Sequence, residues 1–166
     1  LLTVFEDTSS ASSPNVIVER VCMKVVDFLG GPTVAEFRRG PIKRKGRIFE
    51  KVLMQDDRRF DLIRDYARCY IVMKKGHESK MFMVQSALAA NPEVQMVRAK
   101  NRFDPQQDPK ESAGYRDYQI ILRTKEGWLV EVQIVPEEIL RLKEELGHDD
   151  YTKYRLVVEG EKRASV

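Results

Sequence analysis

No stretch of the sequence stays apolar for the roughly 18 residues that a membrane-spanning helix needs, so no transmembrane segment is expected. Cysteine is scarce: Cys22 and Cys69 stand in no CxxC and no Cys/His cluster. A zinc ribbon or a disulfide-stapled scaffold is therefore not indicated. Both thiols are expected to be reduced, in a cytosol-like compartment, although spacing alone leaves a bridge between them open. The start lacks the charged-then-apolar order of a signal peptide, and its first residue is not Met, which fits a segment cut from a longer chain. An excess of one charge is missing too. With 29 Lys and Arg against 26 Asp and Glu the net charge is +3, smaller than non-specific nucleic-acid binders usually carry. No internal repeat is present.

What remains is enough for one domain. A chain of 166 residues can close a core without staples, and 42% apolar with 33% charged residues is normal for a soluble domain with solvated helix faces. The charge is uneven. Segment 38–47, RRGPIKRKGR, carries Arg38, Arg39, Lys43, Arg44, Lys45 and Arg47 with no acid. Such a patch on a near-neutral body suits a confined polyanion such as a nucleotide phosphate chain, or else is simply a solvated loop and helix face.

Local patterns place the elements. The Ser-rich stretch TSSASSP makes residues 1–14 a linker. The domain is expected over 15–160, with 161–166 a tail. Asn15 is placed to cap a helix whose Val18, Val21, Cys22, Val25, Val26 and Leu29 follow helical spacing, stopped by Gly30-Gly31-Pro32. A second helix is expected around 46–56, with Ile48 and Val52 inward. Residues 66–73 are aromatic and β-branched and read as a buried strand. A helix over 77–90 ends at Asn91-Pro92, a strand covers 93–100, and a long polar loop runs from Asn101 to Ala113. Strands 115–123 and 128–135 flank Lys125-Glu126-Gly127, a three-residue hairpin loop that sets Gln119 opposite Gln133. Pro136 suits the first turn of a helix over 136–146, Gly147 ends it, and a short helix follows at 149–158.

Alternation on the last strand carries the chemistry. Trp128, Val130, Val132 and Ile134 point one way; Leu129, Glu131, Gln133 and Val135 point the other. Glu131 thus stands mid-strand between two valines. Carboxylates are depleted in strands and costly to bury unpaired, so Glu131 is either half-exposed to water or held by a cation. Asp65, beside the buried run, is by itself either a strand-edge turn residue or a ligand. Two carboxylates from neighbouring strands would match Mg²⁺, which takes one or two and leaves its other positions to phosphate oxygens and water.

The string Gly114-Tyr115-Arg116-Asp117, followed by VEVQI at 130–134, resembles the synthetase domain of the RelA/SpoT family. The order of further pieces fits over roughly 40–155: PIKRKGRIFEKV, RFDLIRDYARCYIV, RAKNRF, a loop with Pro109-Lys110, and GHDDYTKYR. The resemblance implies an α+β, nucleotidyltransferase-like fold, with a mixed sheet of about four to five strands flanked by helices. It implies Mg²⁺-dependent transfer of pyrophosphate from ATP to the 3′-hydroxyl of a guanosine nucleotide. Asp65 and Glu131 would be the catalytic and metal-binding acids, and Tyr115 would stack on the acceptor base. Lys43, Arg44, Lys45 and Arg47 would hold donor phosphates, with Lys100 and Lys110 as weaker phosphate contacts. Arg116, Gln133 and His148 match positions near the site, His148 otherwise reading as a helix-boundary residue.

The sequence also departs from that pattern. Arg68 and Tyr70 stand where the family strand motif has a glycine and an arginine, and Val135-Pro136 stands in place of Arg-Thr. Asp117 occupies a position that is often serine. No His-Asp hydrolase motif is present, so no hydrolase half is expected. Two other readings follow: a non-catalytic nucleotide-binding or protein-interaction module of the same fold, and a pyrophosphokinase acting on adenosine nucleotides or tRNA. A nucleic-acid partner is not favoured by the small net charge.

Overall fold

The structure, a computed structural model, describes residues 10–41, 67–107 and 115–145. The expected helices at 46–56 and 149–158 lie outside them. The described elements are α1 (Pro14–Leu29), β1 (Ala35–Arg39), β2 (Ala67–Met73), a short 3₁₀ turn (Glu78–Lys80) leading into α2 (Met81–Ala89), β3 (Val94–Asn101), β4 (Tyr118–Thr124), β5 (Leu129–Pro136) and α3 (Glu137–Glu145). The fold is α+β, as expected. Among the described residues the sheet has five strands in the order β1-β2-β5-β4-β3, with β2 and β5 parallel and the other neighbours antiparallel.

Helix α1 forms because Ile17, Val18, Val21, Cys22, Val25, Val26 and Leu29 make one apolar stripe, all of it buried. It begins two residues earlier than a cap at Asn15 implies. Pro14 takes the first helical position, Ser13 is the cap, and Asn15 is buried inside the first turn. It stops at Gly30, whose φ of 119° closes the helix while Gly30 N–H bonds Asp27 O and Gly31 N–H bonds Val26 O.

Strand β1 was not legible in AEFRR, which has a single large apolar residue. It is made by pairing along β2, where tertiary contact overrides weak propensity. Arg38 and Arg39, which read as part of an acid-free patch, are answered by acids from elsewhere. Arg38 Nε bonds Glu36 Oε1 at 2.9 Å, and Arg39 pairs with Glu19 on α1.

The hairpin came out as read. Gln119 lies opposite Gln133 and Gly127 has φ 90°. The alternation of β5 also holds. Val130, Val132 and Ile134 join the main core with Ile71, Met73, Ile120, Leu122 and the stripes of α1 and α2, and Trp128 packs at its border. Each such large side chain, wholly buried, contributes roughly 1.5–3 kcal/mol. Cys22 and Cys69 lie in this core as free thiols, Sγ to Sγ 3.8 Å. The opposite face of the sheet is covered at one end by α3, through Leu140 against Tyr70, Val72 and Val135.

Polar contacts tie α3 to the sheet. Lys74 Nζ lies 2.9 Å from Glu36 and 2.6 Å from Glu137. Arg38 and Lys74 together hold the Glu36 carboxyl down from its usual 4.5 to about 2. A carboxyl depressed in the folded state supplies stability above its unfolded value and loses it as pH falls toward the folded one. Glu36→Gln is therefore expected to flatten the loss of stability between about pH 4.5 and pH 2 in denaturant titrations. The effect is small, because the group is partly exposed.

Candidate functional site

Glu131 sits in β5, the central strand, which is paired on both sides. Its register partners are Arg68 on β2 and Ile121 on β4. That position takes the carboxylate out of water: Glu131 is 6% exposed, and so is Gln133. The half-exposed reading of Glu131 is thereby ruled out. Gln133 Nε2 donates to Glu131 Oε1, and the Tyr115 hydroxyl donates to Gln133 Oε1 at 3.4 Å. Tyr115, Gln133 and Glu131, all named from the sequence, therefore form one connected chain of polar groups. The Gln133 amide orients the carboxylate rather than merely lying beside it.

Around this chain stand groups that the sequence did not mark for function. Arg68 shares the face of Glu131 on the neighbouring strand, and its Nε is buried with no hydrogen-bond partner among the described residues. Asp117, at the entry to β4, is fully buried and pairs through Oδ1 with Arg102, while its Oδ2 has no hydrogen-bond partner among the described residues. Burial pushes the Asp117 carboxyl up, and Arg102 opposes that only in part. From α3, Lys143 places its ammonium 4.4 Å from the centre of the Tyr115 ring and 5.4 Å from that of Tyr70. Burial, then the charge of Arg68, holds Lys143 below its usual value, while Asp117 and Glu131 pull the other way. Burial likewise raises the Tyr70 hydroxyl, against the pull of Arg68.

The remaining expected residues are scattered. Lys100, half-buried on β3, pairs in register with Gln119 and so lies on the same face, farther from Glu131. Arg116 Nη1 donates to Arg102 O at 3.4 Å, which places it at the loop rather than on Glu131. Asp65, Lys43, Arg44, Lys45, Arg47, Lys110 and His148 lie outside the described residues. Close packing supports the β2 side. Gly40 N–H bonds Arg68 O at 2.8 Å, and a Cβ at Gly40 would stand 2.6 Å from that oxygen, so only glycine allows the approach.

Lys143 was findable. It stands three residues after Leu140, so it extends the inward stripe of an amphipathic helix where a solvated lysine would not be placed. Asp117 and Arg102 gave no such signal, because their pairing crosses the loop between β3 and β4.

The donor set suits a magnesium ion in part. Among the described residues no three His, Cys, Asp or Glu side chains converge, and Glu131 offers one oriented, buried carboxylate next to cations. Mg²⁺ takes one or two carboxylates and fills its other positions with water and phosphate oxygens.

No family model matches the chain, and no curated protein matches it. Solved structures do. The small alarmone synthetase 2 of Bacillus subtilis matches with a TM-score of 0.64 at 14% identity, over 98% of this chain and 92% of that one. The small alarmone synthetase 1 of Bacillus subtilis, bound to its product pppGpp, matches with a TM-score of 0.58 at 16% identity, over 90% and 84%. A GTP pyrophosphokinase family protein from Streptococcus pneumoniae matches with a TM-score of 0.59 at 10% identity, over 90% and 81%. At these identities the likeness is one of fold, and the resemblance read from GYRD and VEVQI holds at that level. Among the described residues no helix is long and apolar enough to cross a membrane.

Proposed function

We propose that this chain transfers pyrophosphate from ATP to the 3′-hydroxyl of a guanosine nucleotide, with Mg²⁺ at the site, in a cytosol-like compartment. The observation that carries the reading is the buried Glu131, oriented by Gln133 and faced by Arg68 and Lys143, in a fold shared with a synthetase bound to its product pppGpp. Glu131, with Asp65, would hold the ion. Bound there, Mg²⁺ would neutralise phosphate charge and orient the triphosphate.

The chain's own groups supply the rest. Tyr115 would stack on the acceptor base, with Lys143 over its ring. Lys43, Arg44, Lys45 and Arg47 would hold donor phosphates, and Lys100 and Lys110 are outer contacts. Glu131 is placed to accept the proton of the attacking hydroxyl, a role open to a carboxylate that Gln133 holds by one oxygen. Phosphoryl-type transfer asks for positioning and charge neutralisation more than for a covalent intermediate, and these residue types supply both.

A second reading is nucleotide binding without turnover. It is favoured by Val135, which is wholly buried against Leu140 and Val72 and brings no charge to the face. One experiment separates the readings: labelled ATP is offered with GDP, GTP, AMP, ADP or tRNA, and AMP release is followed. The proposal expects AMP release that depends on GDP or GTP. Release driven only by AMP, ADP or tRNA would move the acceptor. No release, together with nucleotide-induced thermal stabilisation, would favour the second reading.

A further inference from the structure

Lys143 is the cation on this face whose surroundings are hardest to explain by structure alone. It sits on the inward side of α3 and is buried enough for desolvation to act on it. Among the described residues it makes no ion pair, whereas the other lysines of α3's surroundings, Lys74 and Lys75, pair with Glu137 and Glu138. Instead its ammonium lies against two tyrosine rings, 4.4 Å from Tyr115 and 5.4 Å from Tyr70. Cation–π contact attracts an ammonium without giving its N–H groups an oxygen acceptor, so the ammonium can still bond an anion. Two further polar atoms on the same face are buried without hydrogen-bond partners among the described residues, Arg68 Nε and Asp117 Oδ2. Buried polar atoms in native proteins are almost always satisfied, and a donor and an acceptor left over together point to a polar occupant. Arg68 and Lys143 both call for an anion with acceptor oxygens, and Asp117 Oδ2 calls for a hydroxyl or N–H. A nucleotide offers both kinds of group.

We propose that Lys143 contacts a phosphate of the acceptor nucleotide, its ammonium held for that purpose between Tyr70 and Tyr115. The inference rests on the nucleotide-binding reading above and adds to it a residue and a place. The nucleotide whose base stacks on Tyr115 presents its phosphates to Lys143, with Arg68 as the neighbouring donor. An ammonium is a compact charge that suits a phosphate oxygen, and the two rings restrict its motion before the ligand arrives.

The test compares nucleotides with their nucleosides by titration calorimetry: GDP against guanosine, and ADP against adenosine. The proteins are wild type, Lys143→Met and Lys143→Arg, with thermal melting as the folding control. The expected result is that Lys143→Met weakens GDP binding at least tenfold and leaves guanosine binding unchanged. Lys143→Arg keeps the charge but sets a larger, planar head against the rings, so it should weaken GDP binding less than Lys143→Met does and leave guanosine binding unchanged. Unchanged GDP affinity in a folded Lys143→Met would overturn the proposal. So would an equal loss for GDP and guanosine, which would make Lys143 a support for the Tyr115 ring. If Lys143→Met fails to fold, the arginine variant decides, and a tenfold loss there for GDP and guanosine alike overturns the proposal. A phosphate-dependent loss seen with ADP but not GDP would uphold Lys143 and overturn the guanosine acceptor. Wild-type protein that binds none of the four would overturn both.

Discussion

Glu131→Gln is expected to lower pyrophosphate transfer on the order of a thousandfold while leaving the protein folded, the equivalent of about 4 kcal/mol of transition-state stabilisation. The substitution keeps the size and shape of the side chain and removes only its charge and its basicity. Structure gives little reason for a large loss of stability. The position is buried, so a neutral amide is cheaper to hold there than a carboxylate, and Gln133 can still bond to it. On the proposed function a large loss of rate follows, because both metal holding and proton acceptance are assigned to this one carboxylate. The measurement is the initial rate of AMP release at saturating nucleotide, beside the melting temperature. Retained turnover within tenfold of wild type, in a folded variant, would remove Glu131 from the chemistry. Affinity for nucleotide without Mg²⁺ should change little, which separates the loss of an acid from the loss of a pocket.

Arg102→Ala is expected to cost on the order of 3 kcal/mol of folding stability at pH 7. Asp117 is fully buried and Arg102 is its ion-pair partner among the described residues. Removing the partner of a buried charge leaves that charge uncompensated, which costs far more than losing a surface pair. The pH dependence gives the claim its sign. Burial already holds the folded Asp117 carboxyl above its usual 3.8, in spite of Arg102. The folded state therefore keeps a proton that the unfolded chain has released, and stability falls as pH rises from about 3.8 through the folded value. Without Arg102 the folded value moves further up. The penalty should be largest at neutral pH and shrink as the solution is acidified. Asp117→Asn in the Arg102→Ala background should recover most of the loss at pH 7. Urea titrations at several pH values check this, and a loss that is the same at pH 4 and pH 7 would show that Asp117 is not the cause.

Period-two alternation and turn chemistry were strong signals in this sequence. They located β4 and β5, their register and the inward valines, because a one-residue slip would have turned every one of those side chains around. They also set Glu131 and Gln133 on one face. They could not show that β5 is central, and centrality is what buries Glu131. Parallel pairing with β2 joins segments about sixty residues apart, and no local pattern announces such a neighbour. Strand β1 was missed for the same reason: AEFRR becomes a strand because β2 offers an edge, not because of its own propensity. The cap of α1 was misplaced by two residues because Pro14 tolerates the first helical position and Ser13 was the residue before it. At the site, Tyr115, Gln133 and Glu131 were legible through motif and alternation. Arg68 was legible only as a departure from a pattern, and its place beside Glu131 follows from the sheet. Asp117 pairs with Arg102 across the β3–β4 loop and Lys143 reaches Tyr115 from α3, and both meetings are properties of tertiary packing.

On the proposed function, transfer of the β- and γ-phosphates together is the central step, and phosphorus NMR of the protein with ATP, GDP and Mg²⁺ observes it directly. The expected spectrum loses ATP and gains AMP in equal measure with a new diphosphate ester on the guanosine nucleotide, and it stays unchanged when EDTA replaces Mg²⁺. Unchanged ATP in the presence of folded protein and Mg²⁺, or conversion to ADP and inorganic phosphate alone, would contradict it.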